Sequence, residues 1–165
     1  MGDATIYGMS QIVSTSQILS VPAAEPDRAA AHFAAMLTYQ TDVSDVHADL
    51  EAKVPGITLV DVRSEEAYRQ GHVPDALHLP RAEIASRAAE LVAPGTTVVT
   101  YCWGPGCNGA TRGALEFGRL GYAVKEMIGG FEYWAREGLP VVTESGLKRF
   151  PVDVLTAPRT VRCDC

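Results

Sequence analysis

The stretch VVTYCWGPGCNGATRGALEFGRLGY, from Val98 to Tyr122, decides the fold because its periodicity changes twice. Val98 to Tyr101 is a run of β-branched and aromatic residues, which reads as a short buried strand. Cys102 closes that strand. Gly104, Pro105, Gly106 and Gly109 then forbid regular structure, and from Ala110 the spacing of Ala114, Leu115, Phe117 and Leu120 is helical. Strand, tight loop and helix follow one another. This geometry aims loop amides and the first helical turn at the centre of the loop and favours negative charge there, so a Cys102 thiolate is the expected occupant.

Upstream of this unit the pattern alternates in the same way. TDVSDVHADLEAKVPG offers Ser44 as an N-cap, Val46, Leu50 and Val54 at helical spacing, and Pro55-Gly56 as a stop. A strand over Ile57 to Val62, a short helix over Ser64 to Gln70 and a brief strand around Leu77 to Leu79 come next, then a helix in AEIASRAAELV. Downstream, YAVKEM is a strand and GGFEYWAREGLP a helix closed by Gly138 and Pro140. Such alternation predicts an α/β fold with a mostly parallel central sheet and helices on both faces, with the site at the carboxyl ends of the strands. Before all of this, DRAAAHFAAMLTYQ begins after Pro26 as an alanine-rich helix, with Phe33, Met36 and Leu37 expected on a packing face. Three segments result: an arm over 1–25, a domain with its leading helix over 26–142, and a tail over 143–165 that is either docked or mobile.

Bulk properties narrow the function. With 165 residues, 47% hydrophobic and 21% charged, the chain is long enough for one cored domain. A net charge of −6 without a Lys/Arg cluster argues against a nucleic-acid partner. No stretch has the length of a membrane span and the first ten residues lack a signal pattern, so no membrane partner is expected and the expected location is the cytoplasm. The four cysteines fall in two close pairs, Cys102/Cys107 and Cys163/Cys165, which would staple almost no chain. Chemistry is the better use for them. A zinc site is not expected, because Cys-x-Cys at the extreme end fits ligand spacing poorly and a metal would quench the nucleophile.

Three stretches together resemble the rhodanese-like sulfurtransferase family. LVDVRSEEAYRQGHVPDALHLP is similar to the family's first signature, YC with the glycine loop to its active-site strand, and GGFEYWAREGLPV to its closing signature. The likeness runs from Thr38 to Val142 in family order and implies the rhodanese three-layer fold. It further implies that Cys102 is the catalytic cysteine and that the loop of Trp103, Gly104, Pro105, Gly106, Cys107, Asn108 and Gly109 cradles the transferred sulfur. Asp61, Arg63 and His72 then hold the scaffold. In the family reaction a thiolate takes the outer sulfur of a donor, small or protein-bound, and a cysteine persulfide delivers it to a thiol or other thiophilic acceptor without a cofactor. Amides at a helix start can lower a thiol's pKa from about 8.5 by a unit or more, as this chemistry requires.

The sequence also departs from the family. The common loop is Cys-x-x-x-x-Arg; here it runs on from Cys102 to Gly109 with no Lys or Arg, and the first basic residue after Cys102 is Arg112. A charge-assisted contact to a sulfonate is worth roughly 1.5–3 kcal/mol. Thiosulfate is therefore expected to be a poor donor, and a bulkier or less charged carrier is favoured, with Trp103 at the rim. Cys107 stands open between a resolving thiol, a disulfide partner of Cys102 and a small loop residue. Phe131 and Trp134 read as core aromatics. Two other functions compete with sulfur transfer. A phosphatase or arsenate reductase would need arginine where Asn108 stands. A non-catalytic binding or regulatory module would need no cysteine in the loop at all.

Overall fold

The computed structural model describes residues 16–157, so the Cys163/Cys165 pair and residues 1–15 of the arm lie outside the described residues. The chain divides between Met36 and Leu37 into two units. In the first, Leu19 N donates to Ser16 Oγ and Ser20 Oγ donates to Gln17 O, forming a local turn ahead of helix α1, Pro26–Tyr39. Proline suits the first helical turn, and Asp27 complements the helix dipole there. The expected packing face is not buried: α1 has no buried residue, and Phe33 and Leu37 are exposed.

The second unit carries the sheet. Its elements are β1 (Gln40–Thr41), α2 (Val43–Glu51), β2 (Ile57–Asp61), α3 (Glu65–Gln70), β3 (Leu77–His78), α4 (Ile84–Leu91), β4 (Thr97–Tyr101), α5 (Gly109–Arg119), β5 (Ala123–Met127), α6 (Gly130–Arg136), β6 (Val141–Thr143) and β7 (Gly146–Lys148). Strands one to five form a single sheet in the order β1-β5-β4-β2-β3, and every pairing is parallel. Side chains alternate across a strand, so neighbouring residues enter different cores. Leu59, Val99 and Tyr101 pack with Val43 and Val46 of α2 and Trp134 of α6. Val60 and Val98 pack with Ile84 and Ala88 of α4 and Phe117 of α5. The result is the expected α/β three-layer arrangement.

Local details differ from the sequence reading. Asp42, not Ser44, caps α2, its Oδ1 accepting from Asp45 N at 2.8 Å. Asp42 wins because β1 ends immediately before it, which fixes the helix start. Helix α5 begins at Gly109, one residue before the expected Ala110. The first residues of the tail are docked: β7 pairs antiparallel with β6, and Arg149 Nη1 donates to Gly138 O at 3.0 Å. Among the described residues no helix is long and apolar enough to cross a membrane.

Candidate active site

Strands β2 and β4 lie in register, Asp61 beside Tyr101, so their carboxyl ends deliver Asp61, Arg63 and Cys102 to one edge of the sheet. Arg63 is 3% exposed and needs compensation for its buried charge. Asp61 supplies it: Arg63 Nη2 donates to Oδ2 at 2.6 Å, Nε to Oδ1 at 3.0 Å, and the Arg63 amide to Oδ1 at 3.0 Å. Nη2 also donates to Gly71 O at 2.7 Å. Burial pulls the guanidinium's pKa down, but these bonds to Asp61 outweigh it and hold Arg63 above its ordinary value. The Tyr101 hydroxyl, which accepts from Val73 N at 3.1 Å, is pushed well above the usual phenol range by burial and by Asp61.

The guanidinium also anchors the loop. Its carbon lies 4.5 Å from the Trp103 ring centroid and 4.3 Å from that of Phe131. Trp103 was expected at the rim of the substrate loop, yet it is not among the residues lining the cleft; its ring is committed to this cation–π contact. His72 is tied to α3 and to the strand after α6. Its Nδ1 bonds Tyr68 O at 2.9 Å, its ring stacks on Tyr68 at 3.7 Å, and its backbone bridges to Val142.

The loop itself is pinned from α6. Phe131 N donates to Cys102 O at 2.9 Å and Glu132 N to Trp103 O at 2.7 Å. Gly130 permits this approach: its φ is +60°, and a Cβ there would lie 2.7 Å from Cys102 O. At the other end Cys107 N donates to Gly104 O at 2.9 Å, closing a turn that brings the second cysteine back over the first. The two sulfurs are 3.1 Å apart, and both cysteines are free thiols. A Cβ on Gly109 would stand 2.5 Å from Cys102 Sγ and 3.4 Å from Cys107 Sγ, so glycine at that position makes room for both.

The expected depression of the Cys102 pKa is not what this geometry gives. Burial, reinforced by the hydrogen bond to Cys107, pushes the Cys102 thiol up to about 12. Cys107 moves down instead, first because Cys102 donates to it and further because the Gly109 and Trp103 amides point at its sulfur. The loop amides thus stabilise a thiolate as anticipated, but on the more exposed member of a pair that shares a proton.

Both sulfurs open onto a cleft of about 630 Å³, lined also by Gln40, Gly104, Pro105, Gly106, Asn108, Thr111, Glu126 and Ile128. Among the described residues lining it there is no Lys or Arg. There is a carboxylate: both oxygens of Glu126 accept from Thr111 Oγ1, at 3.0 and 3.1 Å. Glu126, Thr111 and Gln40 escaped the sequence reading. The parallel sheet held the signal, because Glu126 sits near the carboxyl end of β5, the neighbour of β4, where such sites form. Asn108, where an oxyanion-binding loop would carry arginine, lines the cleft with an uncharged side chain.

The family model for the rhodanese-like domain matches residues 42–137. The chain belongs to the rhodanese-like domain family. Among curated relatives it is 43% identical over 88 residues to the HTH-type transcriptional regulator Rv0324 of Mycobacterium tuberculosis, covering 52% of this chain but only 37% of that protein. It is 32% identical over 102 residues to a protein named Sulfurtransferase from Allochromatium vinosum, covering 58% of this chain and 87% of that one. Among solved structures, the BH2092 protein of Bacillus halodurans is 41% identical with a TM-score of 0.71, covering 74% of this chain and 89% of that one. This rhodanese-like domain therefore has its sulfurtransferase relatives at modest identity and shares a larger identity with part of a regulator.

Proposed function

We propose that this rhodanese-like protein is a sulfurtransferase that carries sulfane sulfur as a Cys102 persulfide. The observation that supports the reading most is the pair of sulfurs at the head of α5, 3.1 Å apart and facing an open cleft. In the resting pair Cys102 holds its proton more tightly than Cys107, whose pKa is lowered. As a donor enters, the proton passes to Cys107, and Cys102 attacks the outer sulfur while the donor's remaining group departs. Loop amides stabilise the negative sulfur that results. A thiol or cyanide then removes the sulfur and restores the pair.

The donor class follows from the lining. A dianion such as thiosulfate would meet Glu126 and no cation, whereas a thiol-bound sulfur carrier needs no counter-charge. The reading expects a reducing compartment such as the cytoplasm, where both cysteines stay as thiols. The test is thiocyanate formation from cyanide with a persulfide donor. Cys102→Ser should abolish transfer and keep the fold by circular dichroism, while Cys107→Ser should retain measurable transfer; activity surviving in Cys102→Ser would refute the assignment.

A second reading, a regulatory module that binds without turnover, is favoured by the 43% identity to part of a transcriptional regulator. Catalytic turnover in the thiocyanate assay would set it aside.

A further inference from the structure

An ordinary persulfide carrier needs one sulfur nucleophile, and this site holds two in contact. Cys107 lines the same cleft as Cys102, its sulfur 3.1 Å from the other. A disulfide requires about 2.05 Å, so closing the gap takes a movement of roughly 1 Å. The loop leaves room for it: Gly109 puts no Cβ beneath the two sulfurs, and apart from its own chain neighbours nothing lies within 4 Å of the point where a Gly106 Cβ would sit. A persulfide formed on Cys102 would thus be born next to an internal thiol.

Resting on the sulfurtransferase reading, we propose that Cys102 and Cys107 together reduce sulfane sulfur and release it as hydrosulfide, leaving a Cys102–Cys107 disulfide. In the first step Cys102 Sγ bonds the terminal sulfur of a persulfide RS–SH, the donor's S–S bond breaks, and RS− leaves and takes the proton held by Cys107. In the second, Cys107 Sγ attacks Cys102 Sγ; the new S–S bond forms as the bond to the outer sulfur breaks, and HS− departs with the electron pair. The sulfane sulfur is reduced from oxidation state zero to minus two, and the two cysteine sulfurs are oxidised by two electrons. An external thiol pair, oxidised in turn to its disulfide, resets the enzyme.

The internal acceptor has the advantage of proximity. Contact between nucleophile and target replaces a bimolecular encounter, which raises the effective concentration of Cys107 far above that of any free thiol. The amides of Gly109 and Trp103 face the Cys107 sulfur, so they stabilise its thiolate once RS− has taken the proton. A persulfide here is a short-lived intermediate rather than a stored cargo.

Tryptic digestion separates the pairs, because residues 88–112 form one peptide with both loop cysteines and 163–165 another. The reduced protein is mixed anaerobically with one equivalent of glutathione persulfide, without other thiol, and sulfide and peptide masses are measured. Wild type should release close to one equivalent of sulfide, with the 88–112 peptide lighter by about 2 Da for the disulfide. Cys107→Ser should release about tenfold less and hold a gain of about 32 Da on Cys102. Equal sulfide from Cys107→Ser and wild type, or a wild-type persulfide that persists without sulfide, overturns the inference and leaves sulfur transfer intact. Sulfide and disulfide from wild type, with no sulfur on Cys107→Ser, support dithiol release but refute Cys102 as first carrier. No mass change in either protein overturns both readings.

Discussion

Two polar pairs stand side by side at the carboxyl ends of neighbouring strands, and they are built to opposite ends. Asp61 and Arg63 leave β2 fully buried, and Asp61 takes three different Arg63 donors. Trp103 and Phe131 cover the guanidinium. Cys102 and Cys107 follow β4 with one short contact between them and an open cleft in front. In the first pair the charges are buried and fixed by several bonds, although Arg63 Nη1 is buried without a hydrogen-bond partner. In the second the proton is held between two groups whose affinities are displaced in opposite directions. A buried pair held by several bonds can only hold structure, whereas a pair joined by one contact beside an open cleft can exchange protons and sulfur.

The largest effect should come from breaking the buried pair. Asp61→Asn leaves the Arg63 charge buried without its partner, which typically costs about 3–5 kcal/mol. Cys107→Ser, on the half-exposed side of the other pair, should change stability by only about 0.5 kcal/mol. Urea unfolding of both variants checks this. Equal losses would mean that the loop pair is as structural as the scaffold pair, and the contrast would collapse.

How much of this contrast could be seen in the sequence depends on distance along the chain. Asp61, Arg63 and Cys102 end strands whose periods are plain, so their place at the sheet edge was legible from local pattern. The glycines after Cys102 announced a loop closing on sulfur. What stayed hidden arises from contacts between remote segments. Strand β1 has two residues and exists because Gln40 and Thr41 pair with Glu126 and Met127, which no local periodicity reports. Trp103 reads as a rim residue until Arg63, forty positions earlier, is seen beneath it. The direction of the Cys102 pKa depended on burial and on the return of Cys107 by the Gly104 turn, against the general expectation for a thiol at a helix start.

The middle effect sharpens the second pair. In Cys107→Ala, Cys102 loses the hydrogen-bond and charge contributions that hold its proton, so its pKa should fall below about 12 while burial still keeps it raised. The sign is fixed: a lower pKa means that more thiolate persists as pH falls, so alkylation of Cys102 should extend to lower pH in the variant than in wild type. In wild type, Cys107, whose pKa is lowered, should be the cysteine alkylated first at neutral pH. Iodoacetamide labelling across pH, read by fragmentation of the 88–112 peptide, measures both. An unchanged Cys102 profile would show that the two sulfurs do not share a proton.

The smallest effect concerns the field in which the sulfur pair works. Glu126 is held in the cleft by Thr111, and no described lining residue opposes it, so a dianionic donor meets repulsion that an uncharged one does not. In a water-filled cleft at several ångströms this repulsion is on the order of 1 kcal/mol, about fivefold in rate. Glu126→Gln keeps the shape and an oxygen for Thr111, and removes only the charge. It should raise kcat/KM for thiosulfate about fivefold and leave an uncharged trisulfide donor unchanged. Salt supplies the control: near 1 M the screening length is about 3 Å, so the wild-type and variant rates with thiosulfate should converge. An equal change for both donors, insensitive to salt, would mean that Glu126 shapes the cleft rather than charges it, and the donor preference would have to be sought in the loop itself.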